Sequence, residues 1–372
     1  MESVGININT PCGGKGICGK CKILINKGIT AVTPIEEELL SEEEIKKGFR
    51  LACQTKLFKD TVIKIPSEIR LDFKRVFSSN LKGDINHIKN NFSLSTNLKK
   101  VFLDLKKPSL DNQRSDWGRI KDGLSSKKIE NVSNLKTSLE ILKKIPILIR
   151  RANFRITVTL YNNEIIDIES GDSTKSSYGI AFDIGTTTVA GYLVDLNTGE
   201  ELYAVARSNP QVVHGDDIIS RIGFTQKQKE NLGILQREIV NILNEIIKEN
   251  AQKAGVNINN IYKITIAGNT CMYHLLLGLN PSYIAPSPYI PVIKESLNLK
   301  AKDIPGFLLN PTANVYMLSN ISAFVGADIV AGVFAICMWK NKKISLFIDL
   351  GTNGEIVLGS KRKMWACSTA AG

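Results

Sequence analysis

Four cysteines in the first 53 residues, spaced Cys12-x5-Cys18-x2-Cys21-x31-Cys53, restrict this chain more tightly than any other pattern in it. Three thiols in one glycine-rich loop and a fourth from a distant element make a cage of sulfurs, which suits an iron–sulfur cluster or zinc. The plant-type [2Fe–2S] arrangement has four residues in its first gap, where this chain has five. Gly13, Gly14, Gly16 and Gly19 allow the loop to wrap a cluster closely and leave backbone N–H groups free for the sulfides. The spacing predicts a [2Fe–2S] cluster held by Cys12, Cys18, Cys21 and Cys53, the last within Arg50–Gln54 (RLACQ). A four-cysteine zinc site is the alternative, but zinc ribbons pair their ligands as C-x2-C twice and only one such pair is present. Gly14–Cys21 (GKGICGKC) imitates a phosphate-binding P-loop. Cys21 replaces the magnesium-binding hydroxyl and no strand precedes the loop, so it is not read as a nucleotide site.

The 372 residues suffice for two or three domains, and a hydrophobic fraction of 43% is ordinary for a globular protein. Met1–Asn9 lacks the basic start and apolar run of a signal peptide. Ile321–Trp339 is apolar enough to imitate a membrane span, but Asp328 interrupts it and Gly and Ala fill it, so it reads as a buried helix. A cytoplasmic protein without a membrane partner is expected. There the remaining Cys271, Cys337 and Cys367 are expected to be structural thiols. Of the net charge of +12, most lies between Arg70 and Arg151, where 19 basic residues face 8 acidic ones. No aromatic stacking pattern accompanies those lysines. They read as a solvated linker or a docking face for an acidic protein, not as a nucleic-acid surface.

Four regions separate by composition. Residues 1–66 hold the cysteines, strand-like runs at Lys22–Ile25 and Val62–Ile65, and an acidic helical stretch at Glu36–Lys47. Residues 67–145 read as a basic linker, and 146–177 as a small strand-rich middle segment around Phe154–Leu160. From residue 178 to 372, strands alternate with helical patterns, as in an α/β domain.

Within that last region one device occurs twice. A short apolar strand ends in Asp183-Ile-Gly-Thr-Thr-Thr and returns at Val189–Asp195; another ends in Asp349-Leu-Gly-Thr-Asn-Gly and returns at Glu355–Leu358, 166 residues later. Such spacing points to a duplicated subdomain. Gly185 lets the backbone approach a phosphate, and Thr186, Thr187 and Thr188 offer N–H and hydroxyl donors. Gly351, Thr352, Asn353 and Gly354 give the matching second grip. Asp183 is suited to a hydrated Mg2+ ion and Asp349 to positioning metal or attacking water. A single Asp-x-Gly-Thr hairpin is also an ordinary strand turn. Of the three histidines, His274 reads as a packed residue and His214, beside Asp216 and Asp217, as a magnesium or partner contact or a solvated helix start.

Taken in order, PCGGKGICGKC with RLACQ, FDIGTTTVAGYLVDL, IAGNTCMYHLLLG, NISAFVGADIVAG and FIDLGTNGEIVLG resemble the reductive activators of corrinoid proteins over nearly the whole chain. The resemblance implies an α+β multidomain fold. Its parts are a partial β-grasp ferredoxin domain, a linker with a small middle domain, and a C-terminal α/β ribonuclease-H-like half domain of the actin-type ATPases. It implies a [2Fe–2S] cluster, ATP and Mg2+, a low-potential electron donor, and a corrinoid protein reduced from cob(II)amide to cob(I)amide. It also implies that FVGADIVAG and GNT line the partner or nucleotide side of the cleft. A plant-type cluster sits near about −400 mV, so reduction of cobalt is uphill and calls for ATP or a change in cobalt ligation.

Against that pattern, only eleven residues precede Cys12 and 23 follow Asp349. The first ferredoxin hairpin and the second half of the ATPase domain are therefore expected to be missing, with poor or absent ATP turnover. Two other functions remain open: a plain electron carrier with a non-catalytic partner-binding domain, and an activator of another low-potential metalloenzyme.

Overall fold

The computed structural model describes residues 16–28, 31–57, 60–66, 92, 94, 96–351 and 353–370, without the side chains of Asn353 and Ala370. Cys12, Gly13, Gly14, Thr352 and the expected absence of a first hairpin lie outside the described residues.

Alternation dictates the first strand. In β1 (Lys22–Lys27) Ile23 and Ile25 are buried while their neighbours face outward. It pairs antiparallel with β2 (Phe49–Leu51) and β3 (Val62–Lys64) in the order β2-β1-β3. The acidic stretch forms two short helices instead of one, α1 (Pro34–Leu39) and α2 (Glu42–Lys46). Each opens with a capping box, Thr33 with Glu36 and Ser41 with Glu44, and the second cap requires the chain to break at Leu40–Ser41.

Residues 98–170 make one unit. Strands β4 (Leu98–Asp104), β5 (Lys136–Thr137), β6 (Arg155–Tyr161) and β7 (Glu164–Ser170) form a sheet in the order β4-β6-β7-β5, with α3 (Asp116–Ser126) and α4 (Leu139–Arg151) beside it. This corrects the expected division into a linker of 67–145 and a segment of 146–177, because the boundary falls inside α4. Ile120 and Leu124 on α3, and Ile141, Ile145 and Ile149 on α4, recur at helical spacing among the lysines. They bury one core with Leu103, Ile156 and Val158.

The third unit is built on a six-stranded sheet ordered β10-β9-β8-β11-β13-β12. Strands β8 (Tyr178–Ile184), β9 (Thr188–Asp195) and β10 (Glu201–Ser208) form an antiparallel meander. β11 (Ile261–Gly268) joins β8 in parallel, β13 (Asn314–Met317) joins β11 in parallel, and β12 (Leu297–Lys300) closes the edge. Helix α5 (Ile218–Lys227) precedes the long α6 (Asn231–Ala254), which crosses β9 and β10, and α7 (Thr270–Leu277) follows β11. The middle unit is pinned to this sheet by polar contacts. Tyr262 OH donates to Glu169 Oε2 (3.0 Å), Asn260 Nδ2 donates to Glu169 Oε1 (2.9 Å), and Asn310 Nδ2 donates to Asp167 Oδ2 (2.9 Å).

Last come α8 (Ala327–Ala335) and a meander of β14 (Ser345–Leu350), β15 (Asn353–Ser360) and β16 (Lys363–Ala370). The apolar stretch Ile321–Trp339 therefore yields only a nine-residue helix, and it is not wholly buried: Ile329 is covered, whereas Phe334, Ile336 and Trp339 are exposed. Among the described residues no helix is long and apolar enough to cross a membrane.

Candidate functional site

Two sites emerge. At the first, β2 delivers a turn in which Ala52 N donates to Cys21 O (2.9 Å) and Glu36, fully buried, accepts from Leu51 N (2.8 Å) and Thr55 Oγ1 (3.1 Å). These bonds hold Cys53 against the loop end, with its sulfur 3.4 Å from that of Cys21. That separation suits two thiolates on one tetrahedral iron. Gln54 Nε2 donates to the Cys53 sulfur at 3.4 Å, a contact that stabilises a thiolate ligand. Gly16 and Gly19 have φ of +71° and +64°, a conformation side chains resist, so these two glycines are required by the path of the chain. Burial pushes the Cys21 thiol up to about 12, with Cys53 and Cys18 adding like-charge repulsion. A bound cation offsets that cost, since the ligand is the thiolate. Cys18 is half-exposed, and among the described residues no three His, Cys, Asp or Glu side chains converge on one metal position. The donor chemistry and the glycine path fit an iron–sulfur cluster.

The second site is a cavity of about 420 Å³ between the two Asp-x-Gly-Thr loops. Asp183, Gly185, Thr186, Thr187 and Thr188 line one side, Asp349, Gly351 and Glu355 the other, and Asn269, Phe324 and Asp328 the floor and rim. Of the residues read from sequence for this site, Thr352 and the side chain of Asn353 are outside the described residues, and Gly354 does not line the cavity.

The first loop is fixed from behind. Asn209 Nδ2 donates to Gly185 O (2.9 Å) and Asn269 Nδ2 to Thr186 Oγ1 (3.0 Å), while Asn269 Oδ1 caps α7 through Met272 N (2.9 Å). Arg221, with none of its side chain exposed, donates to Thr186 O (2.5 Å), Gly215 O (2.9 Å), Gln211 Oε1 (3.2 Å) and Met272 Sδ (3.3 Å). None of these acceptors is a carboxylate, and burial lowers the guanidinium pKa to about 10. Gly326, at the start of α8, lies so close to β11 that an added Cβ would sit 2.5 Å from Asn269 Cα and 2.8 Å from Gly268 O. Gly326→Ala should therefore overpack this junction and cost about 1–3 kcal/mol, readable as a lower urea midpoint. An unchanged midpoint would contradict the packing.

The carboxyls at the cavity repel one another. Desolvation, then repulsion from Asp328 and Asp349, raises the Asp183 carboxyl from 3.8 to about 6. Burial also raises Asp328 and Glu355, with Asp349 adding to both. Clustered carboxylates above their ordinary range suit a hydrated Mg2+, held through water because they do not converge on one point. The unfolded chain ionises Asp183 near its ordinary value while the folded one resists, so stability should fall as pH rises from 3.8 to about 6. Asp183 also opens onto the cavity, where water screens its charge, and the loss should be about 1 kcal/mol. Mg2+ should consequently raise the melting temperature more at pH 7.5 than at pH 4.5. Equal gains at both would rule out a cation on these carboxylates.

The other candidates have structural duties. His274 is buried, its Nδ1 donates to Thr270 O (2.7 Å) and its Nε2 accepts from Val292 N (2.9 Å); burial lowers its pKa, so it is the neutral ring. His214 contacts Glu238 Oε1 (2.9 Å), and Asp217 caps α5 through Ser220 N (2.8 Å). Cys271 and Cys337 are buried, but Cys367, expected to be a structural thiol, is exposed.

Comparison with known proteins agrees with this division. Residues 1–57 match the 2Fe-2S iron-sulfur cluster binding domain, 88–175 the RACo linker region, 178–341 the RACo middle region, and 343–372 the C-terminal domain of RACo, the ASKHA domain. Corrinoid activation enzyme RamQ of Eubacterium limosum is 31% identical over 375 residues, which span 100% of this chain and 57% of RamQ. A solved structure of a reductive activator for corrinoid,iron-sulfur protein superposes with a TM-score of 0.67 at 35% identity, over 100% of this chain and 60% of that one. A polypeptide of the Na(+)-translocating NADH-quinone reductase of Haemophilus ducreyi is 39% identical over 69 residues, 18% of this chain and 17% of that protein. The chain thus spans less than two thirds of the first two, while sharing their sequence from one end of itself to the other. With a ferredoxin-type domain, a linker unit and an ASKHA-type domain in that order, it belongs to the family of reductive activators of corrinoid proteins.

Proposed function

We propose that this chain passes an electron from a low-potential donor to the cobalt of a corrinoid protein, cob(II)amide to cob(I)amide, with ATP and Mg2+ taken at the cavity between the two loops. The observation that carries the reading is the joining, in one chain, of a cluster-type cysteine pair to a cavity with duplicated phosphate-type loops. A [2Fe–2S] cluster bound by Cys12, Cys18, Cys21 and Cys53 would supply a one-electron couple. Gln54 steadies the Cys53 sulfur, and Glu36 keeps the turn that carries it in place. On the nucleotide side, Thr186 to Thr188 and Gly351 would present donors to phosphate oxygens, Asp183 would orient a hydrated Mg2+, and Asp349 would position metal or water. ATP energy makes the uphill electron step accessible through contacts that differ between nucleotide states. A soluble, cytoplasmic setting suits this reading.

The test is to incubate the anaerobically reconstituted chain with a cob(II)amide-loaded corrinoid protein and a reductant, with and without ATP and Mg2+, and follow cob(I)amide absorption. ATP-dependent cob(I)amide supports the proposal. Equal formation without ATP favours the plain electron carrier, and no formation by cluster-loaded chain rejects the corrinoid as acceptor.

A further inference from the structure

Donors aimed at the sulfurs of an iron–sulfur cluster favour its reduced state, which carries one more negative charge. In the turn that carries Cys53, the main-chain donors are already engaged. Leu51 N donates to Glu36 Oε1 (2.8 Å), Ala52 N to Cys21 O (2.9 Å), and both Gln54 N and Thr55 N to Leu51 O (2.9 Å each). Thr55 Oγ1 donates to Leu51 O (2.8 Å) and lies 3.1 Å from Glu36 Oε1. The backbone N–H of Cys53 itself turns to the Cys21 sulfur. The Cys21 thiol lies 3.4 Å from the Cys53 sulfur, but ligation removes its proton. What this turn still offers to the Cys53 sulfur is a side chain, the Gln54 amide, with Nε2 at 3.4 Å.

The place of that amide is prepared from the other cysteine segment. An added Cβ on Gly16 would sit 2.6 Å from Gln54 Nε2 and 2.9 Å from its Cδ. Ile35 Cγ2, at 3.3 Å, closes the same spot from α1. Glycine at position 16 thus does more than permit a φ of +71°: it leaves the space in which the amide reaches the sulfur. Gln54 is also half-buried, where a hydrogen bond is electrostatically stronger than in water.

We propose that Gln54 is a positioning residue that raises the reduction potential of the cluster through the Cys53 sulfur, and that Gly16 admits its amide. A higher potential eases the arrival of the electron from the donor and steepens its passage to cobalt. Gln54 therefore sets how the uphill cost divides between the two transfers. The inference rests on the [2Fe–2S] cluster of the proposed function and not on ATP binding.

The test is a redox titration of the anaerobically reconstituted 372-residue chain, with iron and acid-labile sulfide counted in every sample. Gln54→Leu occupies similar space without a donor. It should disfavour reduction about tenfold, a fall of about 59 mV in the one-electron midpoint, with iron content unchanged. Gln54→Glu, which places an acceptor and a charge at the sulfur, should fall at least as far. Gly16→Ala should shift the midpoint in the same direction, and combining it with Gln54→Leu should add nothing, since both remove one bond. A purely structural Gln54 would move the melting temperature and leave the midpoint alone. An iron-loaded Gln54→Leu chain with the parent's midpoint, additive shifts in the double variant, or loss of iron from both Gln54 variants would each overturn the proposal. A parent chain that holds no [2Fe–2S] cluster would reject the cluster reading itself, and this inference with it.

Discussion

An Arg221→Met chain should unfold with about 3 kcal/mol less stability than the parent, one of the largest losses expected from a single substitution outside the cysteines. The guanidinium serves Thr186 O, Gly215 O and Gln211 Oε1 from a fully buried position, and methionine leaves all three without that donor. Each buried acceptor left unmet costs about 1–3 kcal/mol. Relief of the guanidinium's own desolvation, visible in its lowered pKa of about 10, offsets part of the sum. Arg221→Lys keeps the charge but reaches fewer acceptors, so it should recover only part of the loss. Urea unfolding of the three proteins measures this directly. A loss below about 1 kcal/mol for Arg221→Met would show that water or neighbouring groups satisfy the loop without it.

Cys53→Ser should abolish the cluster, whereas Cys367→Ser should leave it untouched. Cys53 is carried on the turn after β2, fixed by Glu36, and its sulfur is 3.4 Å from Cys21. A serine oxygen there is a harder, less readily ionised donor and does not restore a thiolate. Cys367 lies exposed on the last meander. Visible absorption and bound iron after anaerobic reconstitution distinguish the two variants. Full iron in Cys53→Ser would remove that residue from the ligand set.

Local signals are legible in the sequence; long-range ones are not. The Cys-rich loop and both Asp-x-Gly-Thr hairpins are short segments whose glycines and side chains announce their use, and the structure sets the two hairpins on one cavity. Arg221 gives no such sign. It is an ordinary-looking arginine in α5, and its contacts reach 35 residues back to Thr186 and 51 forward to Met272. Asp328 and Asn269 stand out only as parts of longer segments, since their roles depend on α8 and α7 starting beside the first loop. Composition misplaces the boundary of the middle unit because lysines mask the apolar stripe of α4. Finally, apolarity alone makes Ile321–Trp339 look buried, but it cannot tell which side of a helix finds a neighbour.

A two-iron cluster at the N-terminal cysteines underlies the whole functional reading, and reconstitution followed by metal and sulfide analysis with electron paramagnetic resonance tests it most directly. The prediction is two irons and two acid-labile sulfides per chain, silent when oxidised and giving a spin-one-half signal on one-electron reduction. Stoichiometric zinc, or four irons per chain, would contradict it.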